Sequence, residues 1–230
     1  FCRRFSVEHV ERLQDIINEV RLKVWSQQDP EFFRQAVIDA DGTIAPTTGE
    51  CKEGMDISYK GVWGYHPLVV SLSNTGEPLY LCNRSGNSTS SKDAAGYLDR
   101  AAEVCRKGGF EKIRFRGDTD FSQTAYLDKW DTEGITFVFG INAMPNLIET
   151  AENLPQAAYT QLSRPPKYTV KTEPRSKPVN IKEEIVRERE YKNIRLVSEH
   201  TAEFAYCPVK CDRPYRIVVL RKNLSVEKGE

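Results

Sequence analysis

Apolar residues recur at helical spacing near the start of the chain. Across residues 6–27 they fall three or four positions apart, as at Val10 and Leu13, and Ser6 precedes them in the position of an N-cap. The Asp29-Pro30 step ends the pattern, because a residue before proline disfavours helical geometry. The spacing therefore predicts a helix over 6–27.

Beyond that helix, short apolar runs of strand character alternate with amphipathic runs. Two of the apolar runs flank a turn signal and predict a hairpin. Glycines mark the predicted ends of two helices, at Gly108-Gly109 and Gly134. The predicted elements are strands at 35–40, 66–73, 78–83, 113–115 and 135–141, a loop at 44–61, and helices at 92–107, 123–132 and 144–153.

This order of elements predicts an α/β fold. Three early strands followed by helix–strand alternation favour a mixed sheet with helices on its faces. After Pro155 the chain becomes basic and punctuated by prolines, and three later runs are predicted as strands: 181–189, 194–206 with a polar interruption, and 216–221. We divide the chain into an N-terminal helix (1–29), a core (30–155) and a basic β-rich region (156–230).

Composition is that of a globular protein with a real core, at 39% hydrophobic and 29% charged residues. No apolar run approaches the roughly 18 residues that span a bilayer. The first residues lack the apolar segment of a secretory signal, and because they also lack an initiator Met we expect a fragment. Six scattered cysteines favour reduced thiols and an intracellular protein.

Net charge is zero but unevenly distributed. Residues 160–230 contain 16 Lys and Arg against 10 Asp and Glu, which indicates a polyanion partner or, equally, a solvated surface. Proline-separated cations in this region can follow a phosphate backbone. These candidate nucleic-acid contacts are Lys167, Lys171, Arg175 and Lys177.

Two apolar runs end abruptly in aspartates, at Asp41 and Asp118. The predicted strand order makes their strands neighbours, so we expect the two carboxylates to lie a few ångströms apart. Adjacent carboxylates repel unless a cation intervenes or one takes a proton. Hard oxygen ligands favour Mg²⁺ or Mn²⁺, ions that support phosphodiester chemistry. The alternative is that both are ordinary turn residues.

Other polar residues near these strands are weaker candidates. Asp39 shares a strand face with Asp41, and Asp120 follows Asp118, so each is a second ligand or a supporting group. Arg84 and Asn87 precede a predicted helix N-terminus, a position suited to phosphate contact or to capping.

Histidines and cysteines give less specific signals. We expect His66, beside Pro67, to be a packed or hydrogen-bonded histidine rather than a catalytic base. His200, Cys207 and Cys211 resemble part of a zinc site, but a fourth ligand is missing and an ordinary strand connection is the favoured interpretation.

Five motifs in order, spanning roughly residues 30–230, resemble the IS1380-type branch of the DDE transposases, within the IS4-like group. The motifs are Val37–Thr43, Tyr65–Leu68, Arg84–Asn87, Arg116–Phe121 and Tyr215–Lys222. The resemblance implies a ribonuclease H-like catalytic core with a β-rich insertion. By position, Asp41 and Asp118 resemble the first two catalytic, metal-binding acids.

The resemblance implies metal-dependent DNA cleavage and strand transfer at insertion-sequence ends. It also implies double-stranded DNA at the ends and target, a pair of protomers in a synaptic complex, and a DNA-associated location in the bacterial cytoplasm, not in a membrane. The third acid of the family is a Glu on a helix after the insertion, and neither Glu199 nor Glu230 has those surroundings. We therefore expect truncation before it. The alternatives are a ribonuclease H-like nuclease and an inactive DNA-binding remnant.

Overall fold

Residues 5–49, 51–165, 181–189 and 192–228 are described by a computed structural model. The helices are α1 (Val7–Trp25), α2 (Ala94–Gly108), α3 (Leu127–Thr132), α4 (Pro145–Glu152) and α5 (Ile181–Glu188). The strands are β1 (Ala36–Gly42), β2 (Ala45–Pro46), β3 (Asp56–Ile57), β4 (Trp63–Tyr65), β5 (Leu68–Leu72), β6 (Glu77–Cys82), β7 (Ile113–Gly117), β8 (Ile135–Phe139), β9 (Thr160–Gln161), β10 (Lys192–Tyr206) and β11 (Tyr215–Lys228).

The chain divides into two compact units. The first comprises Phe1–Asn142 and Val209–Asp212, and the second comprises Ala143–Pro208 and Arg213–Glu230. The first unit contains a five-stranded sheet of order β6-β5-β1-β7-β8 and a small sheet of order β2-β4-β3. The second unit contains a three-stranded sheet of order β11-β10-β9.

The five-stranded sheet is mixed, as predicted. β1 pairs antiparallel with β5 and β5 with β6, whereas β1, β7 and β8 run parallel to one another. The antiparallel hairpin of β5 and β6 lies on one side of β1, and the parallel strands β7 and β8 lie on its other side. The predicted fold class is confirmed.

The core lies between this sheet and α2. Ile38 on β1 and Phe115 on β7 are register partners, and both are fully buried on the face that α2 covers. Small side chains on α2 let it approach the sheet closely, and Gly109 ends the helix with a φ of 97°. Because alternate residues of a strand point to opposite faces, burial of Ile38 and Phe115 turns Asp39 and Arg116 to the other face.

Helix α1 was predicted correctly, but Trp25 is the only one of its apolar residues that is buried. Val10, Leu13 and Val20 are exposed, while Asn18 is 3% exposed. The Asn18 amide nitrogen donates to the Leu79 carbonyl at 3.1 Å. β6 is an edge strand whose backbone groups need partners, and polar side chains of α1 supply them.

We expect Asn18→Ala to lower the free energy of unfolding by about 1–3 kcal/mol, because it leaves the buried Leu79 carbonyl without its donor. Leu13→Ala, which removes a larger but exposed side chain, is expected to change it by no more than about 0.5 kcal/mol. Urea unfolding of the two variants measures both values. A larger loss for Leu13→Ala would show that the exposed stripe of α1 is covered in solution.

Two predictions are wrong in detail. The strand predicted at 181–189 is helix α5, in which Ile181 and Ile185 are one turn apart among Lys, Glu and Arg, residues of high helix propensity. The loop predicted at 44–61 contains the short strands β2 and β3. Among the described residues, the structure contains no helix with the length and apolarity needed to cross a bilayer.

Candidate active site

Asp41 is the sixth residue of β1, and Asp118 directly follows the last residue of β7. The parallel β1–β7 register runs from Ala36 opposite Ile113 to Asp39 opposite Arg116, and its continuation by two residues would bring Asp41 opposite Asp118. Both side chains are exposed. Since neighbouring strands are about 4.8 Å apart and register partners share a face, both carboxylates border the same solvent-filled edge.

The backbone after β7 is shaped to present Asp118. Its Oδ1 accepts the backbone N–H of Asp120 at 2.9 Å, so Asp118 caps the 3₁₀ turn Thr119–Phe121 and keeps Oδ2 available. A Cβ on Gly117 would lie 2.7 Å from the Cβ of Phe121, which is 1% exposed. Glycine at 117 therefore lets the buried Phe121 hold the turn against the end of the strand.

Asp39 is bound to an arginine that the sequence analysis did not single out. Its two oxygens accept from Arg116 Nε at 2.7 Å and Nη2 at 2.6 Å, and the same Nη2 donates to Ser73 Oγ at 2.7 Å. The hydrogen bond to Asp39 raises the pKa of Arg116. Asp39 therefore supports the strand pair beside Asp41. Arg116 can be found from the strand register, because it is the register partner of Asp39 and its side chain lies on the same face of the sheet.

His66 packs against the residue that follows Asp41. The ring is 3% exposed, and Nδ1 donates to the Ser88 carbonyl at 2.7 Å, which leaves Nε2 as the acceptor nitrogen when the ring is neutral. Nε2 lies 2.7 Å from the position that a Cβ on Gly42 would take. The His66 ring thus packs so closely on the backbone at Gly42 that it leaves no room for a side chain there. This is the packed role expected for His66.

The loop before α2 is organised by Arg84. This arginine is 5% exposed and donates to the carbonyls of His66 at 2.9 Å, Ser90 at 2.9 Å and Lys92 at 2.6 Å. Burial lowers the pKa of its guanidinium. Arg84 is therefore directed at the protein interior, whereas Asn87 is exposed and donates to Asp56 Oδ2 at 2.5 Å.

Two polar clefts flank Asp120. The aspartate cleft, about 450 Å³, is lined by residues that include Tyr59, Lys60, His66, Ser90, Asp118 and Asp120. The Lys210 cleft, about 380 Å³, is lined by residues that include Ser91, Thr119, Asp120, Gln123, Tyr126 and Lys210. All of these residues belong to the first unit. Asp118 thus lines the aspartate cleft, and the Lys210 cleft adjoins it at Asp120.

Several candidates from the sequence lie elsewhere. Lys167, Lys171, Arg175 and Lys177 fall outside the described residues. Glu199, in the second unit, is 8% exposed and accepts from Arg164 Nε at 2.6 Å. Within the described ranges, no group of three or more His, Cys, Asp or Glu residues is placed to hold a metal, and this includes His200, Cys207 and Cys211.

The donor chemistry of the aspartate pair nevertheless fits a hard divalent cation. Asp118 keeps one oxygen open, and Asp41 has no hydrogen-bond or ion-pair partner among the residues that the structure describes. Mg²⁺ is typically bound through one or two carboxylates together with water and substrate phosphate, so two aspartates at one strand edge form an adequate protein share of such a site.

No curated protein matches the chain. Among solved structures, it is similar to a piggyBac transposase described as a synaptic complex with hairpin DNA, at 13% identity and a TM-score of 0.41. That match covers 93% of this chain and 40% of the other, so the chain spans well under half the length of that protein. The family model described as transposase DDE domain group 1 matches residues 1–222. The chain therefore belongs to the DDE-domain transposases of group 1.

Proposed function

We propose that Asp41 and Asp118 are the first two acids of a DDE active site of the IS1380 type. The protein that contains them would cleave DNA strands at insertion-sequence ends and join the freed 3′-hydroxyl to target DNA. The observation that supports this proposal is the parallel register of β1 and β7, whose continuation beyond Asp39 and Arg116 would bring the two exposed carboxylates opposite each other. Membership of a DDE family supports it.

In this proposal Asp41 and Asp118 hold Mg²⁺ or Mn²⁺. Such an ion activates a water or 3′-hydroxyl and stabilises the leaving oxygen of a phosphodiester. The ion pair between Asp39 and Arg116 neutralises the carboxylate closest to the pair. The negative charge left at this edge therefore belongs to Asp41, Asp118 and the neighbouring Asp120.

The proposed substrate is double-stranded DNA, both as element ends and as target. The cation surplus of residues 160–230 supports a DNA contact there. We further propose that two protomers pair the two ends and that the protein is DNA-associated in the bacterial cytoplasm. The third acid is proposed to lie in sequence that follows residue 230, since Glu199 is bound by Arg164.

The test incubates the intact protein with labelled terminal-repeat DNA, target DNA and Mg²⁺. Joined products that require the divalent ion are the expected result. Cleavage without joined product would replace the transposase proposal with a nuclease. DNA binding with no cleavage in Mg²⁺ or Mn²⁺ would replace it with an inactive remnant.

A further inference from the structure

We infer that one DNA strand crosses the site along the aspartate cleft and the Lys210 cleft, with Lys60 and Lys210 contacting phosphates on opposite sides of Asp118. This inference rests on the proposed function, which supplies DNA as the substrate. It adds a path for the strand and two residues that bind it.

The two clefts adjoin each other at Asp120. Asp120 lines both, and the consecutive residues Ser90 and Ser91 line one each. Asp118 lines the first cleft and its neighbour Thr119 the second. Asp118, one of the two acids proposed to bind the metal, therefore lies where the clefts adjoin.

The lysines in these clefts contrast with two ion-paired lysines of the first unit. Lys107 is paired with Glu103 at 2.7 Å and Lys129 with Asp99 at 2.5 Å. Lys60 and Lys210 are exposed and have no carboxylate within ion-pair distance among the described residues. A lysine ammonium that has no carboxylate partner is suited to bind a DNA phosphate near the proposed metal site.

Lys210 is held in this unit by its own neighbours. Cys211 is 9% exposed, and its Sγ donates to the Thr124 carbonyl at 3.1 Å. The backbone N–H of Asp212 donates to Asp128 Oδ2 at 2.6 Å. These two contacts fix the backbone that presents Lys210 at the cleft.

The remaining walls suit a nucleotide chain. Hydroxyl and amide side chains from Ser90, Ser91 and Gln123 can contact sugar and phosphate, which provide most protein–DNA hydrogen bonds. Tyr59 is 77% exposed beside Lys60, whose Nζ lies 5.4 Å from the ring centroid, so one end of the path offers an aromatic surface on which a base can stack.

The experiment measures binding of the whole chain to a fluorescent single-stranded DNA by anisotropy, with Ca²⁺ as the divalent ion, across a salt series. Lys60→Glu and Lys210→Glu are compared with Lys112→Glu. Lys112 is an exposed lysine just before β7, at the opposite end of that strand from Asp118. All three variants make the same charge change at exposed positions, so folding does not distinguish them.

We expect Lys60→Glu and Lys210→Glu each to weaken binding by about tenfold and to reduce the logarithmic salt slope by about one unit, as loss of a phosphate contact does. Lys112→Glu is expected to stay within about twofold of wild type, since it lies outside the path. In a second readout, bound DNA protects Lys60 and Lys210, but not Lys112, from acetylation.

Equal effects of the three substitutions, or no protection of Lys60 and Lys210, overturn the strand path. If the wild type still cleaves and joins DNA in that case, the proposed function stands without it. Absence of binding of the single-stranded DNA by the wild type also overturns the strand path, whereas the proposed function is overturned only if the wild type fails to cleave and join double-stranded DNA.

Discussion

Asp118→Asn is expected to reduce metal-dependent DNA cleavage by at least about 10³-fold. The reason is that, in the proposed function, the Asp118 carboxylate binds the cation that stabilises charge on the reacting phosphate. Asn retains the side-chain oxygen that accepts from the N–H of Asp120, and Asn and Asp are equally good caps. The substitution therefore separates the two roles of Asp118, leaving the turn intact. Gel analysis of labelled DNA measures the loss, and the free energy of unfolding reports on the turn.

The matched control is Asp29→Asn, an exposed aspartate before the 3₁₀ turn Pro30–Arg34 whose side chain makes no capping hydrogen bond. It is expected to leave cleavage unchanged. Asp41→Asn is expected to match Asp118→Asn, since the proposed function assigns both residues to the same metal. Wild-type cleavage by Asp118→Asn would reject the assignment of both acids.

Trp130→Ala is expected to lower the free energy of unfolding by about 3–5 kcal/mol, which is a large part of the stability of an ordinary domain. The side chain is 0% exposed and meets the ring of Phe115 edge-on, with centroids 5.1 Å apart. Its Nε1 donates to Asp99 Oδ1 at 2.8 Å. Because Phe115 lies on the strand that leads to Asp118, we expect lost stability to be accompanied by lost activity.

Trp63→Ala is the matched control for Trp130→Ala, because it is the same substitution at an exposed position. Trp63 is 45% exposed on β4, so its removal is expected to cost about 1 kcal/mol or less. Urea unfolding of both variants gives the two values. Similar losses for Trp130 and Trp63 would contradict the placement of Trp130 in the core and of Trp63 at the surface.

Much of the fold follows from local patterns, and its failures have identifiable causes. Alternating burial within 113–117 and the turn after Leu72 specify strands and a hairpin without reference to the rest of the chain. The solvent-facing side of α1 does not follow from its periodicity, because the backbone of β6 attracts Asn18 to the buried side. The helix at 181–188 was predicted as a strand, because alternating charge along this segment does not distinguish the helical period of about 3.6 residues from the strand period of about 2.

The adjacency of the two strands that lead to Asp41 and Asp118 was predictable from the order of the elements. The pairing of the two carboxylates stays a prediction. Residues positioned by long-range contacts were not predictable. Lys210 is presented by its neighbours Cys211 and Asp212, whose hydrogen bonds to Thr124 and Asp128 no local pattern reveals. The position of Arg84 before a predicted helix favoured phosphate contact or capping, whereas the structure directs its side chain inward to three backbone carbonyls.

Titration of the chain with Mn²⁺, followed by the electron paramagnetic resonance signal of the free ion, tests the metal-binding role of the pair most directly. We predict that Asp41→Asn and Asp118→Asn each weaken the strongest Mn²⁺ site by at least about tenfold. Substitution of groups that only support metal ligands already lowers metal affinity about 10–100-fold. Asp29→Asn is predicted to bind as the wild type does. The same Mn²⁺ affinity in all four proteins would contradict the central claim that Asp41 and Asp118 hold the metal.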